Sequence, residues 1–374
     1  MTRLKVMTVV GTRPEIIRLA PTLKLLDAHT DHVLVHTGQN YDYELNEVFF
    51  EDLQLRRPDH FLEADVSSLG AALGSILAKT EQVLRTEQPD AFLVLGDTNS
   101  CISAIMAKRC RVPVFHMEAG NRSFDENVPE ETNRRIIDHT ADYNLAYTEH
   151  ARRNLLAEGL HPSRIIVTGS PMAEVLQQNR AQIDASDVLS RQGLDRGKFF
   201  LVSLHREENV DYPQRLRTAM EALQAVRTAY GHPVLISTHP RTRKRLEGLP
   251  DSLKEGLVFH PPFGFNDYVK LQMEATAVLS DSGTISEESS ILSFPAVTLR
   301  DFIERPEALD TGSIVTTGLT PDSVLAGIDL VCNLPRPVPP TAYQVTDTST
   351  RVVSFIVGTA HSHARREGLL PSGI

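Results

Sequence analysis

Leu4-Lys5-Val6-Met7-Thr8-Val9-Val10-Gly11-Thr12-Arg13-Pro14-Glu15-Ile16-Ile17-Arg18 decides the fold. An apolar run of strand length stops at a glycine, and a segment with helical spacing follows. Gly11 permits a sharp exit from the strand, and Pro14 suits the first turn of a helix. Working outward, short apolar runs recur at residues 32–37, 91–95, 112–117 and 164–168, separated by helical stretches. Leu69, Leu73, Ile76, Leu77, Val83 and Leu84 illustrate that helical spacing. Continuous apolar strands alternating with helices mark a parallel sheet covered on both faces. The second half repeats the scheme with runs at 199–205, 233–237, 256–260, 277–281 and 295–299.

This pattern predicts an α/β fold of two doubly wound, Rossmann-like domains facing across a cleft. The length of 374 residues agrees with two domains at about 150 residues each. Residues 1–172 are expected to form the first domain and 173–347 the second. The polar, strandless segment 177–197 is the hinge candidate. A helix at 348–366, capped by Asp347 or Ser349, is expected to pack back on the first domain.

Composition narrows the function. With 38 Lys+Arg against 48 Asp+Glu and a net charge of -10, a broad cationic face for nucleic acid or anionic lipid is not expected. No apolar run approaches the roughly 18 residues of a spanning helix, and the N-terminal run is too brief for a signal peptide. The 3 cysteines, Cys101, Cys110 and Cys332, form no CxxC pair, which argues against a disulfide scaffold or structural zinc and for a reducing cytoplasm.

In open parallel sheets, ligands gather outside the carboxyl ends of the strands. There, Arg13 stands at a helix N-terminus, where anions are favoured. The loop is not a GxGxxG fingerprint and no GxxxxGK[ST] occurs, so nicotinamide and P-loop readings lose their support. Three acids follow strands or open a helix: Asp97 in Gly96-Asp97-Thr98, Glu118 in Glu118-Ala119-Gly120, and Glu130 in Pro129-Glu130-Glu131-Thr132-Asn133-Arg134. Each alone suits a helix cap or a surface. On neighbouring strands they converge, and clustered carboxylates suit general acid and base work. In the second half, His205 and Arg206 end a strand, and His239 in Thr238-His239-Pro240-Arg241 repeats the arrangement. Ser282-Gly283-Thr284 between an apolar strand and a helix lets backbone amides and hydroxyls approach a diphosphate. Glu288, about a turn on, suits a ribose diol, and Arg305 offers a guanidinium for bidentate phosphate contact.

Together these residues resemble the non-hydrolysing UDP-N-acetylglucosamine 2-epimerases across nearly the whole chain. The 7 resembling motifs, in order, are GTRPE (11–15), GDT (96–98), EAG (118–120), PEExNR (129–134), HRxE (205–208), DSG (281–283) and ERPE (304–307). The resemblance implies a two-domain, GT-B-like fold with a cleft for a UDP-sugar substrate, no metal and no cofactor, and usually a homodimer. It implies catalytic roles for Asp97, Glu118, Glu130 and His205. Substrate contacts are implied for Arg13, Arg18, Arg134, Arg206, His239, Ser282, Gly283, Thr284, Glu288 and Arg305. The family reaction removes the C2 proton, expels UDP to leave a 2-acetamidoglycal, and adds UDP back with C2 inverted.

The sequence departs from common members at Arg18, where lysine is usual, at Thr284, and across residues 37–47. Together with Thr238-His239-Pro240-Arg241-Thr242-Arg243, this is similar to the subgroup making UDP-N-acetyl-L-fucosamine for capsule or O-antigen, ahead of UDP-GlcNAc/UDP-ManNAc epimerases. A GT-B glycosyltransferase shares the fold and phosphate logic but must also hold an acceptor. A nucleotide-sugar-binding regulator would bind UDP without turnover.

Overall fold

The computed structural model describes residues 3–38, 43–125, 128–238 and 240–369. The chain forms two compact units, Met1–Gln177 with Gln344–Ile374, and Gln178–Tyr343. The first unit carries β1 (Lys5–Val10), β2 (Asp31–His36), β3 (His60–Phe61), β4 (Ala91–Leu95), β5 (Val114–Met117), β6 (Tyr143–Ala146) and β7 (Ile165–Val167). They pair in parallel in the order β3-β2-β1-β4-β5-β6-β7. Val6, Met7, Val9, Val10 and all of β4 are buried, as a sheet covered on both faces requires. The chain moves outward from β1 to β3, then returns to the other side of β1 with β4. The winding therefore reverses between β1 and β4, where the loops leaving the two strands part and open a crevice.

The second unit repeats this with β8 (Phe200–Ser203), β9 (Val234–Ser237), β10 (Leu257–His260), β11 (Ala277–Ser280), β12 (Ala296–Thr298) and β13 (Val315–Thr316). Its parallel order is β10-β9-β8-β11-β12-β13, so its reversal lies between β8 and β11.

Several elements differ from the sequence reading. β8 stops at Ser203 rather than at 205, because the amides of His205 and Arg206 turn to the Asp281 carboxylate instead of a neighbouring strand. β3 and β13 are two residues long, too short to register as apolar runs. β6 is interrupted in pattern by Asn144, which is buried and donates to the Asp138 carbonyl at 2.9 Å. The polar stretch 177–197 is not bare linker. It holds two short helices, Arg180–Ala185 and Val188–Gln192, anchored by the buried Ile183 and Val188.

The helix Thr348–Arg366 belongs to the first unit and lies against the helix Arg13–His29. Phe355 packs edge-on to Phe115 and Tyr143, with ring centroids 6.0 and 5.4 Å away. Burial of Val352, Val353 and Ile356 contributes roughly 1.5–3 kcal/mol per side chain. Asp347 occupies the N-cap without a side-chain cap bond. Instead, the Ser349 amide donates to Glu174 at 2.8 Å and its hydroxyl to the other oxygen of the same carboxylate.

Candidate active site

At the reversal in the first unit, the turn after β1 is fixed by Glu15. Its Oε2 accepts from the Gly11 amide at 3.0 Å, the Thr12 amide at 2.7 Å and the Thr12 hydroxyl at 2.8 Å. Its Oε1 meets the Ser100 hydroxyl, three residues past Asp97. One carboxylate therefore joins the loops of two neighbouring strands. Burial pushes Glu15 up to about 7, against the pull of those hydrogen bonds. Arg13, half-buried, has its guanidinium 5.6 Å from the Phe49 ring centroid, within cation–π range.

Asp97 and Glu118 follow β4 and β5, which are paired through Leu95 and Met117. Glu118 has φ 64°, a left-handed conformation costly for a residue with a side chain, between Gly96 at φ 76° and Gly120 at φ 82° in the adjoining turns. The Glu118 Oε2 lies 3.8 Å from where a Cβ on Gly96 would stand, so the two acid-bearing turns are adjacent. The acids are not paired with each other. Arg18 binds Glu118, and Arg134 binds Asp97. Asn121 lies 3.4 Å from Glu118, Arg134 donates to the Asn121 carbonyl at 3.3 Å, and Asn133 donates to the Asp97 carbonyl at 3.0 Å. Each carboxylate is thus oriented by a buried guanidinium, a charge-assisted arrangement that fixes geometry.

Glu130 sits half-buried on the first turn of the helix Pro129–Thr140. Its neighbour Glu131 is buried and accepts from the Ser123 amide at 3.1 Å and from Arg134 at 3.3 Å.

The second unit gathers its candidate residues at the corresponding reversal. Asp281, fully buried, accepts from the amides of His205 at 3.0 Å and Arg206 at 2.9 Å, and from Asn209 at 3.2 Å. His205 Nδ1 lies 3.0 Å from the same carboxylate, while its side chain stays 39% exposed, so the ring is oriented yet accessible. Burial alone would push the Asp281 carboxyl up, but His205, the Arg206 amide and Asn209 bring it below the usual carboxylate range. Ser282, Gly283 and Thr284 are half-buried at the start of the helix Ile285–Leu292, with the Ser282 and Thr284 hydroxyls 3.0 Å apart. A Cβ on Gly283 would stand 3.6 Å from Arg206 Nη2 and 3.7 Å from Glu304 Oε2, which places the Arg206 guanidinium over this turn. Glu304 is held by Arg300 at 2.8 and 2.9 Å. Glu288 accepts from Gln272 at 2.6 Å, and Arg305 lies buried with Nε 3.2 Å from Glu287.

The structure thus brings Arg13, Arg18, Asp97, Glu118 and Arg134 to one reversal, and His205, Arg206, Ser282, Gly283 and Thr284 to the other. Arg305 and Glu288 are tied into buried pairs. His239 and residues 39–42 of the divergent stretch 37–47 lie outside the described residues. Sequence reasoning missed Glu15 and Asp281 as organising groups. The T-x-x-E capping pattern of Thr12 and Glu15 was the available signal for the first. Asp281 had none beyond its place in the DSG triplet. Among the described residues, no three His, Cys, Asp or Glu side chains gather as a metal site, and no helix is long and apolar enough to cross a membrane.

Residues 24–357 match the protein family described as UDP-N-acetylglucosamine 2-epimerase. The solved structure of a UDP-N-acetylglucosamine 2-epimerase from Rickettsia bellii is 45% identical, with a TM-score of 0.90 over 97% of this chain and 98% of that one. The Methanocaldococcus jannaschii UDP-GlcNAc 2-epimerase, crystallised with UDP-GlcNAc and UDP, is 34% identical, with a TM-score of 0.90 over 95% of this chain and 100% of that one. A UDP-2,3-diacetamido-2,3-dideoxy-D-glucuronate 2-epimerase of Pseudomonas aeruginosa is 34% identical over 328 residues, 86% of this chain and 90% of its own length.

Proposed function

We propose, from the premise that this chain belongs to the UDP-N-acetylglucosamine 2-epimerase family, that Asp97 and Glu118 move the C2 proton of a UDP-2-acetamido sugar while UDP departs and returns. The enzyme is an isomerase acting on a UDP-sugar. The C2–H of such a sugar is not next to a carbonyl, so its removal needs a departing anomeric diphosphate. A carboxylate takes the proton, the C1–O bond breaks with its electron pair going to UDP, and a C1=C2 double bond forms. Re-addition of UDP at C1, with a proton delivered to the opposite face of C2, yields the epimer. No net oxidation occurs.

The observation that carries this reading is the pair of acids on adjacent strand ends, each aligned by its own buried arginine. Arg206, Ser282, Gly283 and Thr284 are assigned to the diphosphate, where amides and a guanidinium stabilise the charge that develops on it. Glu288 and Arg305 retain their assignment to the nucleotide, reached by rearrangement of their present pairs. His205, fixed by Asp281, is assigned a catalytic or orienting role, and Glu130 the third acid. Arg13 and His239 complete the substrate contacts.

For the sugar, the reading is UDP-2-acetamido-2,6-dideoxy-L-talose, giving UDP-N-acetyl-L-fucosamine for capsule or O-antigen. Support comes from Arg18, Thr284 and the segments 37–47 and 238–243. The UDP-GlcNAc/UDP-ManNAc pair is the second reading, favoured by the likeness to the M. jannaschii enzyme crystallised with UDP-GlcNAc. The same proposal has the enzyme working as a homodimer in the cytoplasm, consistent with the free thiols of Cys101, Cys110 and Cys332.

Proton NMR of each UDP-sugar with the enzyme in deuterated water tests the proposal. The substrate should exchange H2 and give its epimer without any acceptor. Asp97→Asn or Glu118→Gln should cut turnover at least about a hundredfold with UDP affinity nearly intact. Near-normal turnover refutes the roles of the acids, and epimerisation of UDP-GlcNAc alone refutes the 6-deoxy substrate.

A further inference from the structure

We infer that His116, Asp138 and Arg122 form a buried brace whose task is to position the Asp97 and Glu118 carboxylates, so that it governs turnover rather than substrate binding. This rests on the reading of those two acids as the proton-transfer groups. His116 lies on β5 and is fully buried. Its Nε2 is 2.7 Å from the carbonyl of Gly96, the residue before Asp97. Its Nδ1 is 3.0 Å from Asp138, which is also fully buried, a close contact without the alignment of a hydrogen bond.

Asp138 in turn accepts from the amide of Gly120, two residues after Glu118, at 3.2 and 3.1 Å through its two oxygens. It also receives Arg122 Nη1 at 2.7 Å. Arg122 donates to the Asn121 carbonyl at 2.7 Å and to both oxygens of Glu158 at 2.7 Å. Hydrogen bonds on either side of the close His116–Asp138 contact therefore connect the backbone beside Asp97 to the backbone on the far side of Glu118.

These three side chains act on backbone and on one another, not on either acid's carboxylate, which makes them positioning residues. What they fix is the backbone at and beside the acids: Gly96, Glu118 and Gly120 are all left-handed, a conformation easy for the two glycines but one that Glu118 keeps only where its surroundings determine it. Burying ionic groups is costly compared with apolar side chains of similar volume. Their retention beneath the acid-bearing turns is accounted for by the precision these turns need, since a displacement of about 1 Å at reacting groups costs on the order of a hundredfold in rate.

The test uses the full chain, with His116→Gln, Asp138→Asn and Glu158→Gln. Read-outs are kcat and KM for epimerisation, C2 deuterium exchange, UDP affinity by calorimetry, and fold by circular dichroism. Asp138→Asn and His116→Gln should lower kcat and C2 exchange by about ten- to a hundredfold, with KM and UDP affinity within about threefold. Glu158→Gln, at the partly exposed outer end of the network, should lower kcat about threefold. Folded inner variants with unchanged kcat, or with KM rising in parallel, overturn the brace. Should the inner variants fail to fold, Glu158→Gln decides: unchanged kcat overturns the proposal, and a selective fall supports it. Wild-type protein that neither exchanges C2 nor epimerises refutes the reading of the acids themselves, an outcome distinct from active wild type with insensitive variants.

Discussion

Glu15→Gln should abolish a pH dependence of stability in the first unit worth about 3 kcal/mol. Glu15 is 1% exposed, and its carboxyl is pushed from 4.5 to about 7 by burial. With the folded value above the unfolded one, the native state binds the proton more readily. Glu15 therefore favours folding in full below about 4.5, and that contribution is lost as pH rises through about 7. The gap between 4.5 and about 7, at about 1.4 kcal/mol per pH unit, gives the figure of about 3 kcal/mol.

Glutamine suits the site: its carbonyl replaces Oε2 as acceptor for Gly11 and Thr12, and its amide donates to the Ser100 hydroxyl. It mimics the neutral acid and does not titrate. Native-state hydrogen exchange of β1 and β4 amides, corrected for the intrinsic effect of pH, reads the opening of this unit. Between pH 4.5 and 8.5 the stability difference should move by about 3 kcal/mol in favour of the variant. Equal pH dependence in wild type and variant refutes the reasoning.

Gly120→Ala should destabilise by about 2–4 kcal/mol, because φ is 82° and the new Cβ would stand 2.3 Å from the Ala151 carbonyl oxygen, which is backbone and cannot swing away. Denaturant midpoints measure the loss, and a drop in turnover should accompany it. Asp281→Asn should weaken UDP binding at least about tenfold by calorimetry, since it removes the charge that gathers the His205 and Arg206 amides. The Asp281 carboxyl is held below its ordinary value, so it stabilises above the unfolded value of about 3.8. The stability gap between wild type and this variant should therefore shrink as pH falls below that value, and a gap that widens in acid contradicts the assignment.

The fold was largely legible because buried parallel strands write themselves as short apolar runs closed by glycine or polar residues. Ala91–Leu95 shows this directly. What escaped were elements whose strand character depends on a neighbour: β3 and β13 are two residues long, and Asn144 breaks the apolar run of β6. The candidate site was legible to the level of loops. Asp97, Glu118, His205 and Ser282 could be named because strand ends at a winding reversal collect ligands. Their partners could not. Arg18 and Glu118 are 100 positions apart, and Arg134 and Asp97 are 37 apart. His116 and Asp138 read singly as an ordinary strand residue and an ordinary helix residue, and only the folded sheet turns them into one network.

The order in which the molecule is assembled follows from the address of the helix Thr348–Arg366. Its hydrophobic flank finishes the earlier-made unit, yet the ribosome produces it only after all of residues 178–343. During synthesis, the Phe115 and Tyr143 rings wait without their Phe355 partner. The first-translated half of the protein is thus the last to be completed, and its nascent form carries an oily patch of the kind that chaperones bind.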